Sequence, residues 1–242
     1  MLALFVIAVL FCATLIRSAL GFGEALVAVP LLAFVLPVKV AAPVAVLVSI
    51  TVAALVLAQD WRHVRARSAL RLVLWTIPGI PLGLLLLRVG AEPLVKGTLG
   101  TIVAGFAAWS LWRRGAGTLT DDRLAWMFGL LAGVLGGAYG MNGPPLAMYG
   151  GLRRWPPEQF RATLQGYFLP ASVAGMAGYW AAGLWTPTVN RYYLVSLPTS
   201  LLAIALGRTI NRRIDARRFF LYVNGGLILA GAGLVLQAML GK

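Results

Sequence analysis

Long apolar stretches follow one another along the chain, and polar residues gather in the short gaps between them. A run of about 18 or more apolar residues is enough to cross a bilayer as a helix, so the pattern predicts a polytopic helical membrane protein. Positions 40–58, 69–87 and 94–112 form three such spans, and 160–183, 191–210 and 219–240 form three more. Pro78 and Pro81 are expected to kink the second span, because each removes a helical hydrogen bond. Each set of three is preceded by a shorter, interrupted apolar run, 1–36 and 124–152. The first arm of the earlier run, 1–16, covers about 24 Å at ~1.5 Å per residue, short of the roughly 30 Å hydrocarbon core. Both interrupted runs therefore read as hairpins of broken helix that turn back inside the membrane. Three crossings per half invert the second half relative to the first. The expected fold is all-α, with two inverted-topology repeats at 1–114 and 115–242, each a broken-helix hairpin followed by three transmembrane helices. Setting Pro78 on Pro198 brings Arg71 onto Arg191 and Arg88 onto Arg208, which gives the repeat weak support in sequence.

The interruptions carry the chemistry. Positions 136–151 read GGAYGMNGPPLAMYGG, and 18–33 read SALGFGEALVAVPLLA. Gly140 and Gly143 permit backbone conformations other residues resist, and Pro144 and Pro145 suit the first turn of a new helix. Gly21-Phe22-Gly23 splits the earlier run in the same way. Close helix packing accounts for Gly129, Gly133 and Gly136, and for Gly225, Gly226, Gly231 and Gly233. It does not account for Asn142-Gly143-Pro144-Pro145, because an unwound polar link at membrane depth must be buried in protein or line a cavity. Paired broken helices at matching places point to a transporter's substrate site. Helix N-termini near Glu24 and Pro144 would present unpaired N–H groups to a small anion. Prolines lack that donor, leaving Asn142, Gly143 and Leu146 to supply it.

Arg17 and Glu24 flank the first break, where an isolated charge is costly. Two readings stay open: a mutual salt bridge at the hairpin tip, or Arg17 as anion ligand with Glu24 as proton carrier. Burial favours protonation of Glu24, and a nearby Arg17 opposes it. Gln165 and Tyr167 add polar contacts from a later helix, although Gln165 equally suits an interhelical hydrogen bond. The candidate substrate-binding set is Arg17, Gly21, Gly23, Gly140, Asn142, Gly143, Pro144 and Gln165, with Glu24 as the proton-coupling residue.

Charge placement orients the chain. Of 242 residues 60% are hydrophobic and 12% charged, about half the ~25% charged residues of a soluble domain. The net charge of +14 would point to nucleic acid on a soluble surface. Here 15 of the 21 lysines and arginines fall in the gaps 59–71, 112–123, 152–161 and 208–218, which the parity of the crossings puts on one side. By the positive-inside rule that side is cytoplasmic, both chain ends lie outside, and the membrane is the inner (plasma) membrane. The basic loops are then topology signals and contacts for anionic lipid, with no nucleic-acid partner. Trp61, Trp109, Trp112, Trp126, Trp155 and Trp185 fall at the expected boundaries as an aromatic belt. Positions 1–19 read as a retained helix, because no basic residue precedes the apolar core as in a signal peptide.

Little in the sequence favours catalysis. Metalloprotease, serine-hydrolase and nucleotide-loop patterns are missing, no segment would bind ATP, and no cofactor is implied. Asp121 and Asp122 precede a helix that they would cap, and Asp60 and Asp215 sit among arginines in loops. His63 has no second His or Cys nearby for a metal, and Cys12 reads as a small hydrophobe packed in a helix. A secondary transporter for a small anion is the leading reading, and a non-transporting scaffold or a lipid-modifying enzyme is the alternative. Homodimerisation is left open.

Several of these pieces together resemble the sulfite exporter TauE/SafE family. They are Gly21-Phe22-Gly23 with a following apolar run and Pro30, the Gly140-Met141-Asn142-Gly143-Pro144-Pro145 link, Phe160-Arg161-Ala162-Thr163, and the glycine-rich last helix. The resemblance covers nearly the whole chain. It implies a permease or exporter of sulfite, organosulfonates or related sulfur-containing anions, built from two inverted repeats. Glu24 stands where that family more often has glycine or an apolar residue.

Overall fold

The computed structural model describes residues 1–60, 64–112, 118–211 and 216–240. Trp61, Arg62, His63, Arg113, Arg114, Arg212, Arg213, Asp215 and Lys242 lie outside them, and with them the readings made of His63, Trp61, Asp215 and the centres of the basic gaps. The described residues form ten α-helices and no strand: α1 (Leu2–Leu20), α2 (Glu24–Ala33), α3 (Val38–Asp60), α4 (Ala66–Val89), α5 (Glu92–Trp112), α6 (Ala125–Tyr139), α7 (Gly143–Leu152), α8 (Pro157–Ala181), α9 (Pro187–Asn211) and α10 (Ala216–Met239). This is an all-helical, polytopic membrane fold.

Glycine chemistry sets both breaks. Gly21 closes α1 in the left-handed region at φ 87°, its N–H donating to the Arg17 carbonyl. Gly140 closes α6 in the same way at φ 66°, bonding back to Gly136. That left-handed close is one a side chain resists. After the two-residue link Met141-Asn142, α7 starts with both prolines in its first turn, where a missing N–H costs nothing. The first arm is longer than the sequence expectation. Running through Arg17 to Leu20, α1 has 19 residues and reaches about 28 Å, nearly a full crossing, whereas the 15 residues of α6 reach about 22 Å.

By length and apolarity, four helices among the described residues could cross a membrane: Val38–Ala58, Ala66–Val89, Glu92–Trp112 and Phe220–Met239. Six crossings are expected from sequence. The remaining two, α8 and α9, are each 25 residues long but more polar. In α8 the polar residues Thr163, Gln165 and Ser172 are buried in the protein. The central helix is α3, buried over 61% of its apolar window against 28–33% for the other three. Apolar side chains of α4, α5, α9 and α10 face outward, as a lipid-facing surface requires. Both prolines of α4 lie within one continuous helix.

Packing partners exchange when the first five helices are swapped for the last five. Helix α4 lies on α6 and α9 on α1, α4 on α8 and α9 on α3, while α3 meets α8 and α5 meets α10. The α4–α6 seam is backbone against backbone: a Cβ on Gly83 would sit 2.0 Å from the Val134 carbonyl oxygen, and one on Gly137 would sit 2.2 Å from that of Ile80. Gly100 and Gly231 repeat the arrangement between α5 and α10.

Several expectations are corrected. Gly136 does not face a neighbouring helix but lies under the Asn142 side chain, and Gly225 and Gly226 have open space where a Cβ would go. Cys12 is exposed on the outside of α1 instead of packed. Trp155 is buried against Tyr149 and does not belong to a boundary belt. Asp122 does not cap α6, whose N-cap Leu124 makes no side-chain bond. Instead it accepts from Tyr149 Oη (2.6 Å) and Ser68 Oγ (3.1 Å) and pairs with Arg153 and Arg71, joining α7 to α4 beneath α6.

Candidate functional site

Both breaks open onto one place, about halfway along α3 and α8. Arg17, in the last turn of α1, and Glu24, in the first turn of α2, are 3% and 2% exposed. Their side chains form an ion pair, Arg17 Nη1 donating to Glu24 Oε2. Further partners come from α1 itself and from polar groups on α3 and α8. Thr14 Oγ1 donates to Glu24 Oε1 (3.1 Å), Arg17 Nη1 donates to Ser49 Oγ on α3 (2.7 Å), and Arg17 Nη2 donates to Gln165 Oε1 on α8 (2.7 Å). Ser49 Oγ lies 3.4 Å from Ser172 Oγ, and the Arg17 guanidinium carbon sits 4.9 Å from the centre of the Phe168 ring. Gln165 also donates through Nε2 to the Gly21 carbonyl (2.9 Å), so it ties the broken end of α1 to α8. A charged pair this deep survives only with such a shell, because desolvation exceeds the Coulomb gain unless remaining donors and lone pairs are satisfied.

Two small cavities flank Arg17. One is lined by Arg17, Gly23, Glu24, Asn142, Gly143 and Ser172, among others, so the first turns of α2 and α7 share it. The other is lined by Arg17, Ser18, Gly21, Val56, Arg161, Gln165 and Ile204. Each leaves about 20 Å³, room for one water molecule and not for a larger oxyanion. The geometry is that of a closed site.

Of the residues singled out in sequence, Arg17, Gly21, Gly23, Glu24, Gly140, Asn142, Gly143 and Gln165 line one cavity or the other. Pro144 lines neither and is buried in the first turn of α7. The Asn142 amide is already engaged: it lies against Gly136, and its Nδ2 donates to Tyr167 Oη (3.2 Å). Tyr167 Oη lies 2.6 Å from Thr76 Oγ1, which bonds the carbonyls of Leu72 and Gly129. Tyr167 therefore braces the second break against α4 and stands back from the cavities. Sequence reasoning missed Thr14, Ser18, Ser49, Arg161, Phe168 and Ser172. A signal existed for three of them, since Arg161, Phe168 and Ser172 stand at −4, +3 and +7 from Gln165, one face of a helix. No cluster of His, Cys, Asp and Glu able to hold a metal occurs among the described residues.

A family model described as Sulfite exporter TauE/SafE matches residues 6–234. No curated protein and no solved structure matches the chain.

Proposed function

Since the chain belongs to the sulfite exporter TauE/SafE family, an integral membrane transporter family for sulfur anions, we propose that it binds and moves sulfite or a small organosulfonate at the Arg17–Glu24 site. One observation carries the reading: a buried cation and a buried acid sit together where the first turns of two broken helices line the same cavity. Each helix N-terminus favours an anion by about 0.3–1 kcal/mol, and up to ~2 kcal/mol when partly buried. Arg17 adds a full charge and a planar fork suited to an –SO3 head.

Glu24 makes the binding conditional. While ionised it occupies Arg17 Nη1 and would repel an entering anion. A proton on Glu24 removes the repulsion and releases Arg17 as a cation, so proton and anion each favour the other's binding. Ser49 and Gln165 keep the guanidinium hydrogen-bonded during the exchange, and the Phe168 face holds its charge. The exchange of packing partners between the two sets of five helices supports two repeats at 1–114 and 115–242, and three crossings in each half would invert one relative to the other. It also supports alternating access around a fixed site. The basic loops face the cytoplasm of a plasma membrane, held by the positive-inside rule.

Proteoliposomes loaded with sulfite or methanesulfonate test the reading. Wild type should carry the anion with a flux that depends on pH, and Glu24→Gln should bind at least as tightly while losing that dependence. A normal pH profile in Glu24→Gln would remove the proton role. A large fall in its melting temperature with unchanged coupling would make the pair a structural salt bridge. Absence of flux in wild type would favour a scaffold, and conversion of lipid without transport would favour an enzyme.

A further inference from the structure

We infer that a second oxyanion subsite lies on the far side of Arg17 from Glu24, built by the Nε–Nη2 edge of Arg17, the Ser18 hydroxyl, Gln165 and Arg161. It rests on the transport reading above and adds a second stop for the same –SO3 head.

The guanidinium is divided between two neighbourhoods. Nη1 serves Glu24 and Ser49, which line or adjoin the cavity at the helix N-termini. Nη2 donates once, to Gln165 on the opposite cavity, and Nε is buried with no hydrogen-bond partner. Nε–H and Nη2–H together make the side edge on which guanidinium holds a carboxylate-like or sulfonate-like anion through two parallel bonds. One half of that edge is thus unused in the closed site.

A second group there also lacks a partner. Ser18 is 5% exposed, its Oγ is buried without a hydrogen bond, and it lines the same cavity as Arg17 and Gln165. A helical serine ordinarily bonds a carbonyl of the preceding turn, and leaving a buried hydroxyl unsatisfied costs stability. A hydroxyl and an Arg Nε–H, both buried and both unsatisfied, thus belong to two residues that line one small cavity.

Arg161 completes the ring. Its side chain lies across Gly21 so closely that a Cβ there would be 2.5 Å from Arg161 Cγ, and its Nη2 makes a long contact (3.5 Å) to the Ser18 carbonyl. Displacement of this side chain is what enlarges a cavity of about 20 Å³ to the size of an oxyanion. An anion would then pass from one face of the Arg17 guanidinium to the other, from the Ser18–Arg161 subsite to the Glu24–Gly143 subsite, without leaving its main cation.

Anion binding to detergent-purified protein, by calorimetry with sulfite and with methanesulfonate, tests this. Ser18→Ala deletes one donor and fills no space. It should leave the melting temperature of the anion-free protein unchanged or raised, and weaken both anions about tenfold, as loss of a hydrogen bond to a charged group does. Arg161→Lys keeps charge and stem but loses the planar fork, and should weaken both anions severalfold. If wild type binds neither anion, the transport reading itself fails. If wild type binds and both variants bind with wild-type affinity, the subsite does not exist while the transport reading stands. Weakening of methanesulfonate alone would also overturn it, because the donors argued here read the shared –SO3 head and not the organic group.

Discussion

The two broken hairpins line one cavity and are built from different materials. At the first, α1–α2, the break is held by side chains: an ion pair, two serines, a threonine and a glutamine, drawn from α1, α2, α3 and α8. At the second, α6–α7, no charge lies at the break itself, and α6 meets α4 along glycines with carbonyl oxygens 2.0–2.6 Å from where a Cβ would stand. Polar hydrogen bonds can be exchanged for others at small net cost, whereas interlocked backbones cannot slide without breaking the seam. In the transport reading proposed above, the first hairpin would supply the charged groups and the second a close-packed wall beside them.

Substitutions break this contrast in a definite order. Gly83→Leu should have the largest effect, because its side chain would meet the Val134 carbonyl oxygen and the α6 backbone around it. No monodisperse folded protein should be recovered by size-exclusion chromatography, and a stable Gly83→Leu protein would mean that the seam yields. Arg17→Met comes next. Leaving Glu24 buried without its partner should cost about 3–5 kcal/mol in thermal unfolding. Arg17→Met with Glu24→Met should recover most of that loss while remaining inactive. Failure of the double variant to recover would show that the shell, and not the charge, dominates.

Asp122→Asn should have an intermediate effect, about 1–3 kcal/mol, as expected for several hydrogen bonds to one carboxylate. Burial alone would raise the Asp122 carboxyl, but bonds from Tyr149 and Ser68 and the charges of Arg153 and Arg71 outweigh it, so it titrates below its ordinary value. A depressed acid lends stability that is complete above the ordinary carboxylate range, near pH ~4, and that is lost as the pH falls through its folded value. Thermal unfolding of wild type should weaken in that acid window, and Asp122→Asn should lack this component. Gly23→Ala should cost least, about 1–2 kcal/mol. Its φ of 100° strains any side chain, yet the space is open, the nearest atom being Ile16 Cγ2 at 4.0 Å. A loss as severe as that of Gly83→Leu would erase the distinction between strained and interlocked glycines.

What could be read in advance follows the same division. Gly140, Gly143, Pro144 and Pro145 announce an interruption because two glycines and two consecutive prolines crowd into six positions, and Arg17 and Glu24 stand out because charge is rare in apolar sequence. Ser49 gives no such sign, since a lone serine within a membrane helix ordinarily bonds its own backbone. Its role exists only where α3 meets α8. Gly136 and Gly137 are adjacent and chemically identical, yet one cradles Asn142 and the other docks on Ile80. Helical phase alone could not assign them without knowing that α4 is the neighbour. Asp122 misled for a related reason: its position before α6 matches a cap, while its partners lie on α4 and α7.

The lodging of α1 against α9 has a bearing on how the chain is made. Synthesis at ~5–20 residues per second separates Gly21 from Pro187 by about 10–30 s, and through that interval α1 sits in the bilayer without its long-range neighbour. An arginine on such an orphan helix would be drawn back toward water. Glu24 is only seven positions from Arg17, so the nascent hairpin can neutralise itself at once from its own sequence. Gln165 can reach the pair only when α8 emerges, well over a hundred residues later. The acid that the finished transporter holds beside its cation would thus have served first as the ballast that kept the opening helix in the membrane.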